Sequence, residues 1–295
     1  MLAVVFALVA ALALGVSDFY GALATRRIGS VATTLAAYST ATILIALGLL
    51  FLPNVWSVDA VLFGALAGVS IAIGFMTFYV AIAAGPVAVV APMIAVLYAA
   101  IPVAWAVARG ELLSALGWIG VGIGVLAVLA LSIPPKEGAE NTEERAAEVK
   151  VGRGTGPAPM TLVMAVIAAL GLGGATIALD YVPSNSGIAP ALIQSAVAVL
   201  VVAVVWVFVP RSPKGEFHTA SLGTAAWSGL LLGLGNGLFV LALQVGSLAL
   251  VSVLVALYPL STILLARFVL KEHLSKMQWA GVGLAIVAAV LLGAA

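Results

Sequence analysis

The chain has 295 residues, 64% of them hydrophobic and 8% charged, with a formal net charge of +1 and a mean hydropathy of +1.27. A soluble domain carries charge on roughly a quarter of its residues, so lipid is the expected solvent, and the balanced charge leaves no basic footprint for nucleic acid. The absence of cysteine excludes disulfides, thiolate metal sites and cysteine nucleophiles.

A membrane-crossing helix needs about 20 apolar residues. Cutting the chain at polar, Pro and Gly breaks predicts ten spans: Leu2–Ala24, Val31–Leu52, Ala60–Ala83, Pro86–Ala108, Ser114–Ile133, Met160–Tyr181, Gly187–Val209, Thr219–Val245, Leu248–Leu270 and Lys276–Ala294. The first apolar run lacks a basic leader and exceeds the ~7 to 15 residue core of a signal peptide, so it reads as a retained helix. Tight hairpins are expected at Gly85-Pro86 and Gly246-Ser247.

Residues 68 to 122 recur without a gap 161 positions later, in the pairs Gly68/Gly229, Gly74/Gly235, Phe78/Phe239, Glu111/Glu272, Ser114/Ser275 and Trp118/Trp279. A weaker offset of 158 relates Gly15 to Gly173 and Gly29 to Gly187. The expected organisation is therefore a five-helix repeat over residues 1–133, a linker over 134–159, and a second repeat over 160–295. Because five is odd, the second copy enters the membrane inverted, a plan that suits alternating access. The fold class is thus an all-α polytopic membrane protein of ten transmembrane helices in two inverted repeats.

The linker holds Lys136, Glu137, Glu140, Glu143, Glu144, Arg145, Glu148, Lys150 and Arg153 among Gly and Pro, a composition that cannot bury enough apolar surface to offset its ordering entropy. It is expected to be flexible. Eleven of the 12 Lys and Arg residues, all but Arg109, fall on one face of the predicted bundle. By the positive-inside rule that face, with the linker, is cytoplasmic and both termini are outside.

Asp18 is the one acidic residue well inside a predicted span, and an ionisable group there is a functional hypothesis by default. Gly15, Gly21, Ala22 and Ala11 share its helical face, which directs it into the bundle. There it can exchange a proton during a cycle or attract an ammonium group; the alternative is a structural carboxyl bonded to Ser17 or to backbone. Asp180, followed by Tyr181, Pro183, Ser184 and Asn185, sits at an interface instead.

Phe75, Phe78, Tyr79 and Ile82 form an aromatic stripe at helical spacing. The repeat replaces Phe75 by Asn236 and keeps Phe78 as Phe239, so a mixed aromatic and amide pocket is expected on the pseudo-twofold axis; ordinary packing is the alternative. Tyr98 with Pro102, and Tyr258 with Pro259, put a phenol beside a helix-bending proline in corresponding spans. Thr34, Tyr38 and Thr42 make a polar stripe, and Gln194 with Ser195 adds polar groups to the seventh span; interhelical bonding is their alternative use. The Gly229, Gly233, Gly237 series is read as close packing within the chain. His218 and His273 fall in charged loops and read as surface residues. No spacing suggests zinc, a Ser/His/Asp set or a phosphate loop, so no metal, cofactor or enzymatic activity is expected. No Lys or Arg lies in the interior of any span, which disfavours anionic substrates.

The motifs Gly15-Val-Ser-Asp-Phe19, Ala83 to Pro92 with Arg109-Gly-Glu111, Tyr258-Pro259, Lys271-Glu272 and Gly281-Val-Gly283, taken with the ten-helix count and the paired offset, resemble proteins with two EamA-type domains in the drug/metabolite transporter superfamily. That resemblance implies an inner-membrane secondary carrier with a central cavity, commonly an exporter of amino acids or other metabolites. The expected function is export of a small zwitterionic or cationic metabolite by alternating access, with Asp18, Tyr38, Phe75, Tyr79, Tyr98, Asn236, Phe239 and Tyr258 lining the site and Asp18 as the proton-coupling candidate. The expected partners are the small-molecule substrate, the lipid bilayer and protons as a candidate coupling ion, in a monomer or homodimer. Rival readings are a lipid-carrier flippase or drug exporter, and a non-transporting membrane scaffold.

Overall fold

In a hydrocarbon solvent every backbone N–H and C=O must be satisfied within the segment, and helices do this. The structure, a computed structural model, describes residues 1–84, 87–132, 159–208, 219–269 and 275–294. Residues 133–158, which hold all of the expected linker but Pro159, the turn at Gly85-Pro86 and the loops holding His218 and His273 lie outside the described residues, as does the side chain of Tyr79. Eleven helices occur among the described residues: α1 (Leu2–Ile28), α2 (Ser30–Gly48), α3 (Val58–Ala84), α4 (Val87–Ala108), α5 (Ala115–Ser132), α6 (Pro159–Asp180), α7 (Ala189–Phe208), α8 (Thr219–Val245), α9 (Leu248–Val255), α10 (Pro259–Val269) and α11 (Lys276–Ala294).

Six described stretches are long and apolar enough to cross a membrane: Leu2–Thr25, Val31–Gly48, Val58–Phe78, Pro159–Asp180, Ala189–Phe208 and Leu222–Val245. Four shorter apolar stretches, in α4, α5, α9–α10 and α11, fill the remaining positions. Large apolar side chains such as Leu12, Ile43, Leu66, Leu200 and Val290 face outward, as lipid requires. The exposed Trp56, Trp105 and Trp118 lie at one end and Trp279 at the other, the arrangement of interfacial aromatic belts.

The ninth predicted span departs from expectation, being two helices rather than one bent helix. Pro259 has no N–H to give and its ring crowds the carbonyl four residues earlier. The Val255 carbonyl is taken instead by Tyr258 N at 2.9 Å, and Leu257 N reaches Leu254 O at 3.2 Å, tightening the chain into a turn before α10 begins. Side chains support the break: Ser261 Oγ donates to Tyr258 O at 2.9 Å and Thr262 Oγ1 to Gly15 O at 2.7 Å. Pro102, by contrast, sits inside the unbroken α4.

The principal packing runs between the two halves and follows an exchange symmetry. α1 packs on α8 as α6 packs on α3; α2 meets α8 as α7 meets α3; α1 meets α9 and α10 as α6 meets α4. The pairs α5 with α11, α2 with α7, and α4 with α9 are their own symmetry mates. Lipid supplies no hydrophobic drive for such contacts, so close approach through small residues must. Gly171 lies so near Gly74 that a Cβ on Gly171 would stand 2.7 Å from the Gly74 Cα. A Cβ on Gly15 would overlap the Tyr258 carbonyl and the Ser261 hydroxyl, so only glycine lets α1 seat on the broken helix.

Candidate functional site

Where the two halves meet, the small residues of α1 and the break between α9 and α10 leave room for a cavity of about 490 Å³. Its wall draws on α1, α2, α3, α4, α6, α7, α8 and α10, with Tyr258 from the break itself. The lining runs from Gln194 in the second turn of α7, through Asp18 and Tyr98, to Thr25 and Thr33 beside the α1–α2 turn. The cavity thus extends toward the end of the bundle that carries Arg27 and Lys276.

Asp18, Tyr38, Phe75, Tyr98, Asn236, Phe239 and Tyr258 all line this cavity. Asp18 is exposed although it lies deep in the bundle, because the surface it shows is cavity surface. Ser17 does not hold it: the Ser17 hydroxyl donates to Ser228 O at 2.8 Å while the Ser228 hydroxyl donates to Ser17 O at 2.9 Å. These reciprocal bonds clamp α1 to α8 beside the carboxyl. Among the described residues no hydrogen bond or ion pair engages Asp18, and no Lys or Arg lines the cavity.

The aromatic residues form a connected wall. Tyr38 meets Phe75 edge to face with centroids 6.5 Å apart, and Phe75 meets Phe78 in the same way at 6.5 Å. The Tyr98 phenol lies beside Thr176 and within electrostatic reach of Asp18. Ring faces carry negative quadrupole charge, which favours cations.

Of the secondary polar candidates, Thr34 and Gln194 line the cavity. Thr42 instead donates back to Tyr38 O at 2.7 Å, and Ser195 is buried away from the lining. The lining hydroxyls Thr25, Thr33, Thr176, Ser228 and Thr262 escape a reading by sequence, because a single hydroxyl in an apolar helix serves equally to bond the preceding turn. Thr33 does so while lining the cavity, donating to Gly29 O at 2.8 Å. Asp180 lies at the far end of α6 and pairs with Arg109 at 2.6 Å, as an interfacial residue would. Among the described residues no three His, Asp or Glu side chains group as metal ligands.

Residues 159–294 match the model of the EamA-like transporter family. One solved structure, described only as "Crystal structure of protein", is similar to the whole chain, with a TM-score of 0.72 at 18% identity over 99% of this chain and 98% of that one; at that identity the likeness speaks for the fold. No curated protein matches. The family match over residues 159–294, on a bundle whose two halves pack as exchange mates, makes this chain a multi-pass membrane protein whose second half is similar to the EamA-like transporter family.

Proposed function

We propose that this protein is a secondary carrier that exports a small zwitterionic or cationic metabolite, an amino acid or an amine, across the plasma membrane by alternating access. The observation that carries the reading is a carboxylate, Asp18, unpaired among the described residues, in a cavity walled by both halves and by aromatic rings, with no cation in its described lining. An ammonium group would neutralise that carboxylate and lie against ring faces. A proton would neutralise it equally well, which gives a physical basis for exchanging the two. The positive-inside rule makes the Lys/Arg-rich end cytoplasmic, so a cavity extending toward Arg27 and Lys276 corresponds to a state that loads from the cytoplasm.

The test is counterflow in proteoliposomes with labelled amino acids and organic amines, with and without an imposed pH gradient. Saturable counterflow that rises with the gradient is expected, and Asp18→Asn should lower it by about a hundredfold, the loss of an ion pair worth about 3 kcal/mol. Unchanged transport and pH response in Asp18→Asn would sink the role of the carboxyl.

One observation favours a second reading, the lipid-carrier flippase or drug exporter. A separate apolar cavity of about 350 Å³ lies between α1, α10 and α11, and Leu12, Ile286 and Val290 in its lining also face outward. Native mass spectrometry of gently extracted protein would favour this reading if a polyprenyl or phospholipid ligand stays bound.

A further inference from the structure

Two cavity-lining side chains are primary amides, Gln194 on α7 and Asn236 on α8. Both are almost completely enclosed, at 1% and 4% exposure. Among the described residues, Gln194 Oε1 and Asn236 Nδ2 nevertheless find no hydrogen-bond partner. A buried polar atom without a partner costs about 1 to 3 kcal/mol, and both stand in the wall of the same cavity.

Their height in the bundle matters as much as their chemistry. Ser228 is clamped to Ser17, next to Asp18, and Asn236 follows it by eight residues on the same helix, about 12 Å along the axis. A Cβ on the neighbouring Gly235 would touch Leu14, one turn before Asp18 on α1. The amide of Asn236 is therefore displaced from the carboxylate toward the end opposite the α1–α2 turn. Gln194, in the second turn of α7, belongs to that same end.

We infer that Gln194 and Asn236 form a second subsite that binds the uncharged, hydrogen-bonding end of a cationic substrate, a carboxamide or hydroxyl, while Asp18 holds its ammonium group. The inference rests on the carrier reading above and narrows it from zwitterions to cations with a polar neutral tail. A free acceptor and a free donor in the wall of one cavity match a group that both donates and accepts. A carboxylate offers no donor to Gln194 Oε1, and it would share a cavity with Asp18 with no Lys or Arg in the described lining to balance it. The amide torsions are soft, so a modest rotation turns each unpaired atom toward a ligand.

The experiment is competition in proteoliposome counterflow with three matched series: ω-aminoalkanamides, ω-aminoalkanoates and n-alkylamines. The wild-type protein should prefer the aminoamides over alkylamines of equal length by about tenfold or more per hydrogen bond, with aminoalkanoates weakest. Gln194→Leu and Asn236→Leu should each erase most of the preference, and a monodisperse peak in detergent with a melting temperature near the wild-type value shows that the variants are folded. Gln194→Glu and Asn236→Asp, near-isosteric controls, should move selectivity toward ligands with a second donor. Equal handling of amides and alkylamines, or preference for aminoalkanoates, overturns the amide subsite and leaves the carrier reading standing. Absence of counterflow for every amine overturns the carrier reading and this inference with it.

Discussion

The two ends of the bundle are built differently although the chain that forms them is repeated. At the end away from the α1–α2 turn, bonds cross between the halves. Ile188 N donates to Asn54 Oδ1 at 2.9 Å, and Glu111 Oε1 accepts from Ala249 N at the start of α9 at 3.3 Å. Arg109 pairs with Asp180 and lies 4.5 Å over the Tyr181 ring, which stacks on Phe63 at 5.1 Å. Within the second half, Gln244 Nε2 donates to Gly187 O at 2.8 Å and steadies the same loop. Toward the other end, the space between the halves is cavity. The repeat offsets explain part of the contrast: the sequence mates of Arg109 and Asp180 are Leu270 and Ala22, so the ion pair has no counterpart. Inversion reproduces the helical frame and leaves the closing chemistry free to differ, which a carrier needs if its two states are to have separately set energies.

The largest expected effect lies at the support common to both ends, where α1 rests on the helix break. Gly15→Val places side-chain atoms where the Tyr258 carbonyl and Ser261 hydroxyl stand. It should destabilise the folded protein by about 3 kcal/mol or more, read as a lower melting temperature and loss of a monodisperse peak in detergent. If Gly15→Val keeps wild-type stability, α1 is not held against the break and the support assigned to it fails.

A smaller effect is expected from the sealed end itself. Arg109→Ala removes an ion pair and a cation–π contact, about 1 to 2 kcal/mol for a partly exposed cluster, so the ratio of the two states should shift about five- to thirtyfold. Because the chain has no cysteine, an introduced one is its sole thiol. Thr34→Cys should react with an impermeant maleimide from the Lys/Arg-rich side, and Arg109→Ala should slow that reaction while making Leu14→Cys reactive from the opposite side. The swap Arg109→Asp with Asp180→Arg should restore the original pattern; labelling indifferent to all three changes would show that the ion pair does not govern closure.

How much of this was legible in the sequence follows from the physics of each signal. The repeat offset and apolar runs reveal the helical frame, because lipid imposes about 20 apolar residues per span. Asp18 stands out because charge in hydrocarbon is rare and costly, and Asn236 because its repeat mate is Phe75. The break at Pro259 was not separable from a kink, since Pro102 occupies a comparable span and leaves α4 continuous. What distinguishes them is the support given by Ser261, Thr262 and Gly15, two of which are hydroxyls indistinguishable in sequence from any other. The clamp between Ser17 and Ser228 joins residues 211 apart in the chain, and nothing in either local sequence announces the other.

That clamp gives the smallest expected effect and separates a pivot from a gate. Ser17→Ala and Ser228→Ala each remove one buried bond worth about 1 kcal/mol, so each should lower the melting temperature by a few degrees. The hydroxyls are also 3.2 Å from each other, so either single change strands part of the remaining group's bonding capacity. The double variant should therefore cost less than the sum of the singles, a coupling readable in a double-mutant cycle. Thiol labelling at Thr34→Cys should stay unchanged in all three, because the clamp lies between the two ends and both states keep it. A shift in labelling comparable to that of Arg109→Ala would instead mean that α1 and α8 separate during the cycle, and would move the boundary between the rocking bodies to the α1–α8 interface.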